Sequence, residues 1–534
     1  MSEQVFDYVI VGAGSAGCVV ASRLSEDPNV SVCLLEAGGP DDSVLIQAPA
    51  GVVTMAWSKR HNYGYETVPQ PGLNGRCGYQ PRGRTLGGSS SVNAMLYVRG
   101  NPRDYDNWAA LGNPGWSYDE VLPLFKRSEH NEQFNDDFHG QHGPLNVTYQ
   151  NYQSPLSEMF IEAAQLNGLP LNPDYNGATQ EGAFMYQVTH INGERCSAAK
   201  AFLTPNLSRP NLQVITRAVT AKVNFEDKRA TGVSYYRGNE LKQVRARREV
   251  ILSGGALGSP QLLMLSGIGD AEELKQFGIP VVQHLPGVGR NLLDHLDYIQ
   301  AWRAREDAGS FGLSLRGAIR VAAAMPEWHK HRTGMVSSAY ATAGAFIRSS
   351  PEAEIPDLQI IFVIAMVDDH ARKLHLGHGF SSHIDVLHPY SRGTVKLAST
   401  DPRAAPLIDP RYLSDERDLQ MLLKGGQIQQ RIIESKPFDA VRGEMLYPVQ
   451  NGDLAAMEAD IRNRADTQYH PAGTCKMGPD SDALAVVDAQ LRVKGVEGLR
   501  VADASIMPTL VTGNTNAPAI MIGEKVCDLI RFAP

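Results

Sequence analysis

The hexapeptide Gly12-Ala13-Gly14-Ser15-Ala16-Gly17 has the residue types and spacing to hold a phosphate. Gly12 permits a tight turn, Gly14 lets the backbone approach a pyrophosphate, and Gly17 lets a following helix pack closely on the preceding strand. Ser15 and Ala16 would open that helix, whose first N–H groups point at the anion. Glu36, with Ala37 beside it, follows where an acid hydrogen-bonds a ribose diol, roughly 20 residues further on. A second stretch runs Gly87-Gly88-Ser89-Ser90-Ser91. Such a backbone can lie flat against a planar ring and offer N–H and O–H groups to phosphate and ring polar atoms. Cys18, Cys33, Cys77, Cys196, Cys475 and Cys527 are scattered with no CxxC pair, so neither structural zinc nor a disulfide framework is expected. Reduced thiols fit better.

Those glycines act only if the right elements position them. Phe6 to Val11 reads as a short buried strand, and Ala16 to Leu24 as a helix burying Cys18, Val19, Val20 and Leu24. Val30 to Leu35 reads as a second strand ending at Glu36. The order of strand, glycine turn, helix, strand and acid is that of a dinucleotide-binding unit, which leaves FAD and NAD both open. At 534 residues the chain is too long for one ordinary core. With 43% hydrophobic and 20% charged residues and a net charge of −8, it has a globular composition and no basic footprint for nucleic acid. Only Met1 to Gln4 precede the first apolar run, without a basic segment, and nowhere do about 18 apolar residues run together. A cytoplasmic protein without a membrane span is expected.

The stretch Gly83-Arg84-Thr85-Leu86-Gly87-Gly88-Ser89-Ser90-Ser91-Val92-Asn93-Ala94 resembles the first signature of the glucose–methanol–choline (GMC) oxidoreductases, a flavoprotein family. Gly255-Ala256-Leu257-Gly258-Ser259-Pro260, continuing to Ser266-Gly267-Ile268-Gly269, resembles the second, with Asp270 in place of the usual proline. Similar to the family as well are Leu285 to His295, Tyr469 to Gly478, Val501 to Pro508 and Gly513 to Pro518. The matches keep the family's order along nearly the whole chain, with a wording close to bacterial alkanol and choline dehydrogenases.

The resemblance implies an α/β fold: a Rossmann-like FAD domain and a second, α+β substrate domain built on an antiparallel sheet. The FAD domain is expected from 1–150, 195–300 and 465–534, and the substrate domain from 151–194 and 301–464. Arg84, Gly87, Gly88, Ser91, Asn93 and Ala94 would lie along the flavin and pyrophosphate. Asn211 to Val223 would be a strand pair whose backbone near Val219 and Thr220 meets the adenine, with Asp503 and Ala504 near the ribityl chain. Some members bond FAD through a histidine where this chain has Val92, so the FAD here is expected to be non-covalent.

Alcohol oxidation requires loss of the hydroxyl proton while hydride leaves the same carbon, so a base active near neutral pH is needed. The family motif implies His470 as that base, in front of flavin N5. It implies Asn514 as a partner that can only hydrogen-bond the substrate oxygen. Thr515 and Asn516 would face the flavin pyrimidine edge, where negative charge builds. A dehydrogenase passing electrons to a quinone or similar acceptor is the expectation. An O₂-using alcohol oxidase and a flavin-containing hydroxynitrile lyase are the alternatives. Ser310 to Trp328, with Arg316 and Arg320 among Leu313, Leu315, Ile319, Val321, Ala322, Met325 and Trp328, is basic and amphipathic. It reads as a pocket-covering or interface helix or as a peripheral membrane contact.

Overall fold

The computed structural model describes residues 4–55, 58–305 and 309–532, so most of the short N-terminal lead considered above lies outside the described residues. In chain order, the elements that build the site begin with β1 (Gln4–Val11), α1 (Ser15–Leu24), β2 (Val32–Glu36) and β3 (Gly182–Met185). Then come β4 (Leu212–Thr216), β5 (Ala218–Glu226), β6 (Arg229–Arg237), β7 (Glu240–Leu252) and α2 (Gly255–Leu265). β8 (Leu296–Ala304), α3 (Leu315–His331), β9 (Ala341–Ile347), β10 (Leu358–Val363), β11 (Gly377–Val386) and α4 (Glu416–Ile433) follow. β12 (Arg442–Met445), β13 (Leu499–Val501) and α5 (Asn516–Arg531) complete the set.

Val9, Ile10, Leu34 and Leu35 are apolar without alternation and are wholly buried, as strands covered on both faces require. They form the centre of a parallel sheet ordered β4–β2–β1–β7, with β13 beside the end of β7. The first half of β7 turns back instead into an antiparallel meander with β6 and β5. The chain from 211 to 223 is therefore not the strand pair expected. β4 joins β2 in parallel while β5 joins β6, and only Arg217, at φ 55°, separates them. One residue cannot reverse a chain into a hairpin, whose commonest loops hold two.

A second, antiparallel sheet has the order β12–β8–β11–β10–β9–β3. α4 packs on one face of it, with Leu422, Ile432, Ile360, Ile384 and Phe438 in one core. Ala48 and Leu73, from the N-terminal third of the chain, join that core as well. The other face carries Phe184, Tyr186, Ala341 and Ile361 toward Met95, Leu96 and Val98 of the first half. Gly393 to Lys396, which alternates in sequence, belongs instead to a small three-stranded sheet. No helix among the described residues is long and apolar enough to cross a membrane.

Candidate active site

The turn between β1 and α1 is closed by backbone. Gly12, at φ 100°, donates its N–H to the Leu35 carbonyl, and a Cβ there would stand 2.4 Å from the Ser253 oxygen. A Cβ on Gly17 would lie 1.9 Å from the Gly12 oxygen, so α1 can rest on the strand end only with glycine at that place. Gly14 is different: its Cβ would meet only the Ser253 oxygen at 3.9 Å. No side chain caps α1, so its N-terminal N–H groups are left to an anion. The serine-rich stretch lies across this turn. Gly87 N–H donates to the Ala13 carbonyl, and a Cβ on Gly88 would come within 2.7 Å of Gly14 Cα.

Glu36 accepts from Ala13 N–H at 3.0 Å and from Gly38 N–H at 2.7 Å, one to each oxygen. Burial pushes its carboxyl up to about 7 against the pull of those two bonds. Asp503 accepts from Gly255 N–H and Ser259 Oγ with one oxygen and from Ser505 N–H with the other, fixing the start of α2; burial raises its pKa. Ser15 Oγ donates to Asn516 Oδ1 at 2.7 Å, joining the starts of α1 and α5.

These groups line one cavity of about 1310 Å³, above the roughly 300–1,000 Å³ of common small-molecule sites. Of the expected site residues, Gly12, Gly14, Ser15, Ala16, Glu36, Ala37, Arg84, Gly88, Asn93 and Ala94 line it. So do Val219, Thr220, His470, Asp503, Ala504, Asn514, Thr515 and Asn516. Gly17, Gly87 and Ser91 do not line it: Gly17 has the close-packing role its place in the turn implies, while Gly87 and Ser91 were expected along the flavin and pyrophosphate. Gly17 and Gly87 make the backbone contacts just described, and the Ser91 hydroxyl turns inward to the Leu86 carbonyl at 2.6 Å. The Asn93 side chain is engaged by the Arg195 guanidinium and the Met95 N–H.

His470 and Asn514, 44 residues apart, meet with Nε2 and Nδ2 at 3.1 Å. His470 follows a loop whose backbone is pinned by Asp294, which accepts its N–H at 2.9 Å and is itself held by Tyr412 and Thr467. Burial, with His295 and Arg82 nearby, holds the His470 imidazolium well below its ordinary pKa, so the ring is neutral. His295 Nδ1 lies 2.9 Å from His470 Nδ1. Gln359 of β10 donates to Asn514 Oδ1 at 3.1 Å. Gln359, in an apolar strand, does not stand out in the sequence, whereas His295 ends a family-like stretch and is a less favoured candidate base because its Asp294-His295 context looks structural. Ala339, Tyr340, Ala341, Ile361, Val363, Ala365 and Val367, from the antiparallel sheet and its loops, line the same cavity. Val92 also faces the cavity.

Residues 6–297 and 389–523 match the N-terminal and C-terminal models of the GMC oxidoreductases. The chain belongs to this family. It is 46% identical to an alcohol dehydrogenase [acceptor] of Pseudomonas putida, covering 98% of this chain and 96% of that one. It is 44% identical to the mitochondrial choline dehydrogenase of Homo sapiens, covering 100% of this chain and 91% of that protein. Among solved structures, pyridoxine 4-oxidase from Mesorbium loti superposes with a TM-score of 0.89 at 31% identity, over 99% of this chain and 100% of that one. A formate oxidase superposes with a TM-score of 0.91 at 27% identity, over 99% of both chains.

As a GMC oxidoreductase the chain takes FAD, and the cavity fits it. The glycine cradle at one end and the uncapped starts of α1 and α5 suit a pyrophosphate and a ring edge that gains negative charge. Arg217 and Arg403, the latter stacked 4.6 Å over Tyr236, line the same cavity and were not legible from motifs. Valine at position 92 offers no nitrogen to bond the flavin covalently there. Acid precipitation of the purified protein should therefore release all of the yellow colour into the supernatant. Colour retained in the pellet would contradict a dissociable cofactor.

Proposed function

We propose that this GMC oxidoreductase oxidises a primary aliphatic or aromatic alcohol to an aldehyde, with His470 as general base, and delivers the electrons to a quinone or similar acceptor. The observation that carries this is that His470 and Asn514 meet in the lining of the cofactor cavity, which Ile361, Val363, Ala365 and Val367 line as well. FAD, when bound, supplies the acceptor for the hydride. The neutral His470 ring takes the hydroxyl proton, and Asn514 Nδ2 donates to the same oxygen and fixes its position. The apolar wall holds the carbon chain and keeps water away. Among the described residues, the carboxylates that line the cavity are Glu36, Glu66 and Asp503, none of them from the antiparallel sheet. Gly12, Gly14, Ser15 and Ala16 would hold the pyrophosphate and Glu36 the ribose. Val219 and Thr220 would meet the adenine, and Thr515 and Asn516 the pyrimidine edge.

Mixing the protein with a panel of alcohols under anaerobic conditions tests this. Primary alkanols or aryl alcohols should bleach the flavin, and choline should not. A flavin that stays yellow with every alcohol while a cyanohydrin is cleaved would favour a lyase. Rapid reoxidation by O₂ as sole acceptor would favour an oxidase.

The acceptor has a candidate route. α3 is the basic amphipathic stretch of the sequence, yet its apolar face is not packed: Leu315 is 80% and Ile319 61% exposed, beside Leu374 and Leu376 at 58% and 79%. Trp328 departs from that face, being buried with its Nε1 donating to the Gly193 carbonyl. Exposed leucines with Arg316 and Arg320 suit the surface of an anionic bilayer, where a quinone dissolves. Flotation with vesicles containing phosphatidylglycerol should carry the protein upward, and Leu315→Glu with Ile319→Glu should abolish this while flavin bleaching by alcohol persists. Absence of wild-type flotation would remove the membrane contact.

A further inference from the structure

His295 and His470 present Nδ1 atoms to each other at 2.9 Å, so one of them must donate and the other accept. Which does so is decided elsewhere. The second nitrogen of His295, Nε2, lies 3.0 Å from the Leu387 carbonyl, and a carbonyl only accepts. Nε2 of His295 therefore carries the proton. In the neutral ring Nδ1 is then a lone pair, and the proton between the two histidines belongs to His470 Nδ1. His470 Nε2 is left as a lone pair, facing Asn514 Nδ2 at 3.1 Å. The far end agrees. Gln359 Nε2 donates to Asn514 Oδ1 at 3.1 Å, which turns the amide so that its NH₂ faces His470. Gln359 Nε2 also donates to Tyr186 Oη at 2.8 Å, whose own proton goes to the Ile360 carbonyl. Donation runs in one direction, from Gln359 through Asn514, His470 and His295 to the Leu387 carbonyl.

We infer that His295 is a positioning residue that, through the Leu387 carbonyl, fixes His470 in the Nδ1–H tautomer and so leaves Nε2 free to take the substrate proton. This rests on the proposal that His470 is the base and explains how a lone imidazole is kept in its basic orientation without a carboxylate partner. The charges nearby permit it. Burial pushes His295 down to about 3, with His388 acting in the same direction, so it stays neutral. Asp385 Oδ2 stands 3.8 Å from His295 Nδ1, beyond hydrogen-bond reach, and burial, with Asp297 and Asp294 nearby, pushes its pKa well above the ordinary carboxylate range. Arg82 is the charged group that bears on His470 itself. Leu387 follows β11, His295 precedes β8 and Gln359 lies on β10. The antiparallel sheet thus sets the proton on a ring carried by the cofactor half.

The test separates this from a merely structural role. In ¹⁵N-histidine-labelled protein, signals that vanish in His470→Gln identify the His470 ring. Wild type should show a protonated Nδ1 and an unprotonated Nε2. His295→Asn keeps an oxygen acceptor near Nδ1 and should preserve that pattern and most of the rate. His295→Leu removes the acceptor and should give mixed tautomers and a loss of kcat of about 100-fold or more, within the roughly 10⁴-fold known for a wrong histidine tautomer, with KM little changed. Added to His470→Ala, His295→Leu should cost nothing further. An Nε2-protonated His470 in wild type overturns the assignment, as does a His295→Leu protein with unchanged ¹⁵N signals and rate. Full activity in His470→Ala would instead remove the base proposal, and the ¹⁵N pattern would still decide the tautomer.

Discussion

His470→Ala is expected to slow alcohol-dependent bleaching of the flavin by roughly 10²–10⁴-fold, the range for loss of a general base. FAD content should stay near wild type, because the glycine turn, Glu36 and the start of α5 contact the cavity elsewhere. The pH dependence gives the sharper signature. A base must be unprotonated to act, and burial, His295 and Arg82 depress the pKa of His470 below its ordinary 6.5. The rate should therefore be flat through neutral pH and fall only as the pH drops through that depressed pKa. The acid limb should disappear in His470→Ala. Asn514→Ala should cost less, since it removes one hydrogen bond to the reacting oxygen and no proton acceptor. An alanine variant with a near-normal rate and the same acid limb would place the base elsewhere.

Two glycine substitutions three residues apart should fail in different ways. Gly17→Ala puts a methyl 1.9 Å from the Gly12 carbonyl oxygen, so α1 must lift off β1. Overpacking of this kind costs about 1–3 kcal/mol or more, and the loss should appear as a lower melting temperature even in the protein stripped of FAD. Gly14→Ala meets nothing closer than 3.9 Å within the protein. Its stripped form should melt close to wild type, while FAD binding falls at least 100-fold because only a pyrophosphate would collide with the new methyl. Fluorescence quenching of added FAD and a melting curve of each stripped variant distinguish the two. Tight binding by Gly14→Ala would mean that the turn does not cradle the pyrophosphate.

The glycine turn was legible in the sequence because its chemistry is local: Gly12, Gly14 and Gly17 act within one strand, one turn and one helix. His470 and Asn514 were legible only through resemblance, and folding brings them to 3.1 Å of each other. Residues that act through long-range hydrogen bonds were not. Nothing near Gln359 in the sequence says that its amide orients Asn514, and Asp294-His295 gives no sign that the imidazole meets His470. Adjacency also misled. Thr216 and Ala218 are neighbours across Arg217, yet their strands serve different partners, because the left-handed Arg217 diverts the chain where two-strand periodicity shows only continuity. Ser91 illustrates the opposite error: a polar residue in a motif can spend its hydroxyl on the loop's own backbone.

The bond from Ser15 to Asn516 spans 501 positions. During synthesis the glycine turn leaves the ribosome well before α5, whose start completes the same cavity. At about 5–20 residues per second that interval is of order half a minute or more, during which α1 lacks the helix that packs on it. The half-built nucleotide site is completed only when α5 arrives, so tight flavin loading is expected to follow its synthesis. A chain stalled before residue 516 should remain colourless and bound to chaperones, however much FAD is supplied.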